Sequence, residues 1–229
     1  MNATNLNIHT TGNSSAAIRS DRGGGKVTVD GGTYVMDGTG SPVIYSTADI
    51  TVSNAKMEST ASEGVVVEGK NSVTLNNVDL TADNNKKNSD KSTNYEAVMI
   101  YQSMSGDVSV GLVTFTMNGG TLTNKKGDIF FVNNTATTIT VEGAKIVNQD
   151  TSGVFLRSAA GWTWQWRRTA GEAGGCSGKH VSNDKPLAPL NGAQIRKPRG
   201  GGLSFFLILI RFYCRETSGV IRRMLTFPV

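Results

Sequence analysis

Residues 27–33 read VTVDGGT, and the same seven-position pattern returns as ITVSNAK at 50–56, VTLNNVD at 73–79, FTMNGGT at 115–121 and ITVEGAK at 139–145. Its order is apolar, Thr, apolar, polar, Gly or Asn, small or apolar, polar. Alternating apolar residues put Val27 and Val29, or Ile50 and Val52, on one side of a strand and the Thr on the other. β-Branched residues and Thr suit such a pleated surface. The fifth position holds Gly31, Asn54, Asn77, Gly119 and Gly143. Gly and Asn enter the left-handed region at least cost, so the pattern predicts a tight bend with positive φ at that point.

The starts of the pattern are separated by 23, 23, 42 and 24 residues. The long interval is one period plus an insertion. After each bend the chain re-enters a strand: TYVM, KMES, VDLT, TLTN, KIVN. A second apolar series precedes each pattern: AIRS at 17–20, VIYS at 43–46, VVVE at 65–68, VMIY at 98–101, IFFV at 129–132 and VFLR at 154–157. Each period therefore holds three short strands and three turns. That is one turn of a solenoid, in which equivalent strands of adjacent coils pair in parallel about 4.8 Å apart. The predicted fold is all-β: a right-handed, single-stranded parallel β-helix of about 23 residues per coil, followed by an irregular C-terminal tail. Its core would be stacked columns such as Val27, Ile50, Val73, Phe115 and Ile139. An antiparallel sandwich is the alternative, but it does not require Gly or Asn at one fixed phase of every repeat. A leucine-rich repeat has a similar period, but its Leu and Asn ladder is missing.

Two domains are expected: a β-helix over 1–161 and a basic, non-repetitive tail over 162–229. The net charge of +5 hides this division. Through Ser158 there are 12 Lys and Arg against 15 Asp and Glu, a net of −3; from Ala159 there are 11 against 3, a net of +8. The basicity therefore carries no nucleic-acid reading for the repeats, and no nucleic-acid partner is expected. Arg outnumbers Lys 8 to 3 in the tail but is outnumbered 9 to 3 before it. WTWQWRR stands at 162–168 where the period calls for another strand. Such a switch to Arg, Gly, Trp, Cys and Pro is what a shifted reading frame produces, so the tail is read as frameshifted or otherwise non-native; resequencing the locus decides it. Membrane contact through residues 203–213, from Leu203 to Tyr213, is not expected, because the apolar run is too short to span a bilayer and Arg211 interrupts it. The first recognisable strand, LNIHTT at 6–11, matches the last strand of a coil, so the β-helix is expected to start in mid-coil.

These residues carry a family resemblance. IRSDRGGGKVTVDGG at 18–32, SPVIYSTADITVSNA at 41–55, SEGVVVEGKNSVTLNNVDLTA at 62–82 and YQSMSGD at 101–107 resemble the right-handed parallel β-helix repeat domain of large adhesin-like surface proteins of gut bacteria, an architecture related to pectate lyases. The likeness covers 17–162 and departs at Thr163. It implies secretion and display at the cell surface, extracellular in either case, and implies no particular ligand.

Pectate-lyase-like folds also host polysaccharide lyases and hydrolases, so carboxylate pairs matter. The fourth position of the pattern reads Asp30, Ser53, Asn76, Asn118, Glu142, with acids only at the two ends. Glu68 and Asp49 fall at different corners. Arg19, Asp21 and Arg22 adjoin an exposed Gly-rich turn and read as an ion pair. His9 and His180 are the only histidines, and no Cys precedes Cys176, so no zinc set is present. No catalytic residue, metal ligand or cofactor is assigned. The reading is a non-catalytic adhesion or glycan-binding module, with an extracellular glycan or a host surface protein as partner. A polysaccharide lyase or hydrolase, and a structural stalk, are the alternatives. Candidate ligand-binding residues are Tyr45 and Tyr101, able to stack on a sugar ring, and Asn84, Asn85 and Asn94 in the polar insertion at 82–96. A second insertion, 103–112, lengthens the turn that follows.

Overall fold

A computed structural model describes residues 1–22, 24–86 and 95–158, and beyond them only the backbone of 195–196, 208–216 and 219–225. Every regular element among the described residues is a strand. In chain order they are β1 (Asn2–Thr10), β2 (Ile18–Arg19), β3 (Lys26–Met36), β4 (Ile44–Ser46), β5 (Asp49–Ser53), β6 (Lys56–Ser59), β7 (Val65–Glu68), β8 (Ser72–Ala82), β9 (Glu96–Tyr101), β10 (Val113–Asn124), β11 (Asp128–Asn133), β12 (Thr137–Glu142), β13 (Lys145–Asn148) and β14 (Leu156–Ser158). β15 (Ile195–Arg196), β16 (Ile208–Glu216) and β17 (Gly219–Leu225) follow.

The strands form two sheets. The ten-stranded sheet runs β1-β3-β5-β8-β10-β12-β16-β17, with β6 beside β3 and β8 and with β13 beside β10; the seven-stranded sheet runs β15-β14-β11-β9-β7-β4-β2. All pairings within residues 1–158 are parallel. Parallel neighbours need a long crossover, and here each crossover passes through the other sheet.

The register follows the repeat. Val27 pairs with Ile50, Ile50 with Val73, Val73 with Phe115 and Phe115 with Ile139. All five side chains are buried. The pairing of Val73 with Phe115 skips the inserted residues, which leave the sheet on either side of β9. The two sheets share one core. Phe115 of the larger sheet meets Phe130 of the smaller edge-to-face at 5.4 Å, and Phe130 meets Phe155 at 5.3 Å. Fully burying one such ring stabilises by about 1.5–3 kcal/mol.

The bend position has positive φ in each repeat: 73° at Gly31, 54° at Asn54, 52° at Asn77, 70° at Gly119 and 62° at Gly143. Where two glycines stand together the backbone is tighter still. A Cβ on Gly120, whose φ is +76°, would lie 2.1 Å from the carbonyl oxygen of Val78.

Three sequence expectations are corrected. The three separate strands per period hold for some repeats only: β5 and β6, and β12 and β13, stay separate, whereas β3, β8 and β10 each run unbroken through the bend, turned by one left-handed residue in β8 and by two in β3 and β10. The first repeat does not begin at Leu6. Asn2 pairs with Thr28 and Ala3 with Val29, and Asn5, at φ 52°, takes the bend position beside Gly31. Met1 and Ala3 hid this repeat because Ala3 is smaller than the residue at that position of every other repeat and Thr is replaced by Asn2 between them. The tail, expected to be irregular, contains strands wherever it is described. β16 runs parallel to β12, and β17 runs antiparallel to β16. An open sheet edge offers unpaired N–H and C=O groups that favour an extended neighbour. The remaining tail residues lie outside the described residues.

Candidate functional site

The seven-stranded sheet places two rows of outward side chains side by side. One row runs Arg19, Tyr45, Val66, Met99, Phe131, Arg157. The other, two residues further along each strand, contains Glu68, Tyr101 and Asn133. Tyr45 and Tyr101 therefore do not share a phase. Tyr45 lies level with Met99, and Tyr101 lies level with Glu68.

Side-chain length closes that offset. The Tyr45 hydroxyl donates to Glu68 Oε2 at 2.6 Å, and the Tyr101 hydroxyl donates to the same oxygen at 2.8 Å. The two hydroxyl oxygens are 2.9 Å apart. With both protons directed at the carboxylate, each phenol oxygen keeps lone pairs able to accept from a ligand. Glu68 is only 4% exposed, so the carboxylate is held by these donors in place of water. The Arg19 guanidinium stands 5.3 Å from the centre of the Tyr45 ring. That cation–π contact covers one ring face, so Tyr45 can offer a sugar only the other.

Burial and the bond to Glu68 push the Tyr45 hydroxyl up to about 12. Burial and the neighbouring Tyr45 hydroxyl raise Tyr101 as well. Both phenols stay protonated at physiological pH. They are donors, and neither is suited to take a proton from a substrate.

The inserted turn borders this cluster. Ser109 accepts from the Lys70 N–H at 2.8 Å, and Val108 packs where a Cβ on Gly69 would stand. The Thr135 hydroxyl donates to the Gly111 carbonyl at 3.2 Å. The turn is tied down at its base while Met104, Val110 and Leu112 remain exposed, Met104 at 95%.

The asparagine candidates do not join the tyrosines. Asn84 and Asn85 lie before β9 and Tyr101 ends it, so the two groups occupy opposite ends of the strand. Asn84 is buried, and the Asn85 side chain donates to the Thr60 carbonyl at 3.1 Å. Asn94 lies outside the described residues.

Sequence reasoning set Glu68 aside and missed a second acidic row. Asp128 pairs with Glu96, and Glu63 precedes Val65 by two residues as Glu96 precedes its partner Val98. The signal was available: each acid stands one or two residues before an apolar run, in EGVVV, EAVMI and DIFFV. All three are buried. Asp128 is held by Arg157 and by the Val154 N–H, and Glu63 by the Ser62 hydroxyl. Among the described residues no group of three or more His, Cys, Asp or Glu side chains is placed to hold a metal ion.

No known protein family, no curated protein and no solved structure matches the chain.

Proposed function

We propose that residues 1–158 form a right-handed parallel β-helix, an extracellular or surface-displayed module of the adhesin-like kind, that binds a hydroxyl-rich glycan without transforming it. Two parallel sheets joined by alternating crossovers support the coil, and parallel crossovers of this kind are right-handed in about 98% of cases. The observation that carries the binding reading is the convergence of Tyr45 and Tyr101 on Glu68 Oε2, at 2.6 and 2.8 Å. A buried carboxylate bridged by two protonated phenols, with a guanidinium over one of the rings, leaves the phenol oxygens as acceptors for a sugar hydroxyl. The exposed apolar residues of the 103–112 turn supply an edge for the C–H face of a sugar ring.

The raised phenols favour binding over elimination or hydrolysis. A lyase needs a base ready to accept a proton, and a retaining or inverting hydrolase needs two carboxylates free to act. Glu68 accepts from both phenols through Oε2, and Asp128 is bound to Arg157. A glycan array with the full chain, run beside reducing-sugar and unsaturated-product assays, tests the reading. Binding without turnover, lost in Tyr101→Ala, is expected. Turnover of any polysaccharide overturns it.

A further inference from the structure

The outward face of the ten-stranded sheet is built differently. Its central row is Thr28, Thr51, Thr74, Thr116 and Thr140, each paired with the next across five successive strands. On one side stand Lys26, Asp49, Ser72, Thr114 and Thr138, and on the other Asp30, Ser53, Asn76, Asn118 and Glu142. The five central threonines are all half-exposed. Their neighbours bond to one another, as Ser72 does to Asp49 at 2.6 Å and Asn118 to Asn76 at 2.9 Å. The five central hydroxyls enter no side-chain hydrogen bond among the described residues. They form a row of donors and acceptors, level from strand to strand, repeating at the strand spacing of about 4.8 Å.

We propose that this face docks a second copy of the same chain, side by side and parallel, about a two-fold axis running along the stack of strands. Two features select that partner. The first is repeat length. A second stack of the same strands keeps step with the row over all five threonines, whereas a polymer of any other repeat drifts out of register. The second is charge. With the axis along the stack, Lys26 of each copy faces Asp30 of the other, Asp49 faces Ser53, Ser72 faces Asn76, Thr114 faces Asn118 and Thr138 faces Glu142. Each central threonine then meets its own counterpart, so the contact is isologous and closed. With the axis along the strands, Asp30 would meet Glu142, and like charges facing each other are unfavourable.

Five strands at about 4.8 Å and five residues at about 3.3 Å give a footprint of roughly 400 Å² per copy. That is the size of a weak, transient pairing. This surface lies on the other sheet from the tyrosine cluster and does not depend on glycan binding.

Sedimentation of the full chain at rising concentration tests the proposal. Dimer is expected to appear at roughly 0.1–1 mM protein. Thr74→Arg, at the centre of the self-facing row, is expected to leave a monomer with an unchanged circular-dichroism spectrum. Lys26→Asp is expected to shift the dissociation constant upward several-fold, and the double variant Lys26→Asp/Asp30→Lys to bring it back. A chain that remains monomeric across that range overturns the proposal. So does a dimer indifferent to Thr74→Arg, or a double variant no better than Lys26→Asp alone.

Discussion

The two sheets carry their polar residues in opposite ways. On the larger sheet the outward side chains keep to rows, the central one of threonine stacked on threonine, and those five hydroxyls enter no side-chain hydrogen bond among the described residues. On the smaller sheet the rows are broken. Arg19, Tyr45, Glu68, Tyr101, Asp128 and Arg157 reach sideways to one another, and outward residues such as Val66 and Phe131 are buried. Regular rows come from a repeating sequence with little selection for contacts between repeats. Departures from the repeat on the smaller sheet are where side chains of different length and charge have been fitted together, and such places are where chemistry usually resides.

The widest break in that comparison comes from the core that both sheets share. Phe115→Ala removes the ring that joins the larger sheet to Phe130 and is expected to cost about 3–5 kcal/mol in urea unfolding. Gly120→Ala acts on the larger sheet alone. It adds a Cβ against the Val78 carbonyl at a left-handed residue, and it is expected to lower stability by at least about 1–2 kcal/mol.

A smaller effect separates the faces. Glu68→Leu leaves the hydroxyls of Tyr45 and Tyr101 without their acceptor, at about 1–3 kcal/mol. In the same variant the alkaline ultraviolet titration of Tyr45 is expected to move down from about 12, since its bond to Glu68 is one of the causes of the rise. A Tyr45 titration unmoved by Glu68→Leu would show that burial alone sets it.

pH sharpens the contrast further. A tyrosine whose folded pKa is raised keeps its contribution below the unfolded value near 10 and loses it as pH climbs through the folded value. Stability is therefore expected to fall between about pH 10 and about pH 12 through the Tyr45–Glu68–Tyr101 cluster. At the acid end Asp150 behaves in the opposite sense. The Ser152 hydroxyl and the Gly127 N–H hold its carboxyl below the usual range. Its contribution is present above the unfolded value near 4 and is lost as pH falls towards the lower folded value. Asp150→Asn is expected to flatten the acid limb of the stability curve and leave the alkaline limb unchanged.

The smallest effect belongs to the regular face. Thr116→Val keeps the β-branched shape and removes a hydroxyl that has no side-chain partner among the described residues, so unfolding is expected to change by no more than about 0.5 kcal/mol. A larger loss would mean that the hydroxyl row contributes to folding.

Much of the larger sheet could be read from the repeat. The pairing of Val73 with Phe115 across a long insertion followed from matching VTLNN to FTMNG, because a two-residue periodicity and a left-handed bend leave few other registers. The bend at Asn5 was overlooked because Met1 and Ala3 blurred its flank. The smaller sheet was legible only as a series of apolar runs. Tyr45 and Tyr101 were picked out as aromatics able to stack on a sugar ring; that they meet through Glu68, although they stand at different phases, could not be read from the sequence. Glu68 itself was set aside as lying at a corner. Asn84 and Asn85 were chosen as members of the polar insertion at 82–96, and β9 separates them from Tyr101.

What the sequence by itself determined is the spacing of the repeats, the inward columns and the residues that bend, since each depends on local backbone preference repeated at a fixed interval. What only the tertiary structure decided is which polar side chains from different repeats meet. That outcome depends on turn lengths, on which sheet face each strand presents and on how far a side chain reaches, and none of these is periodic.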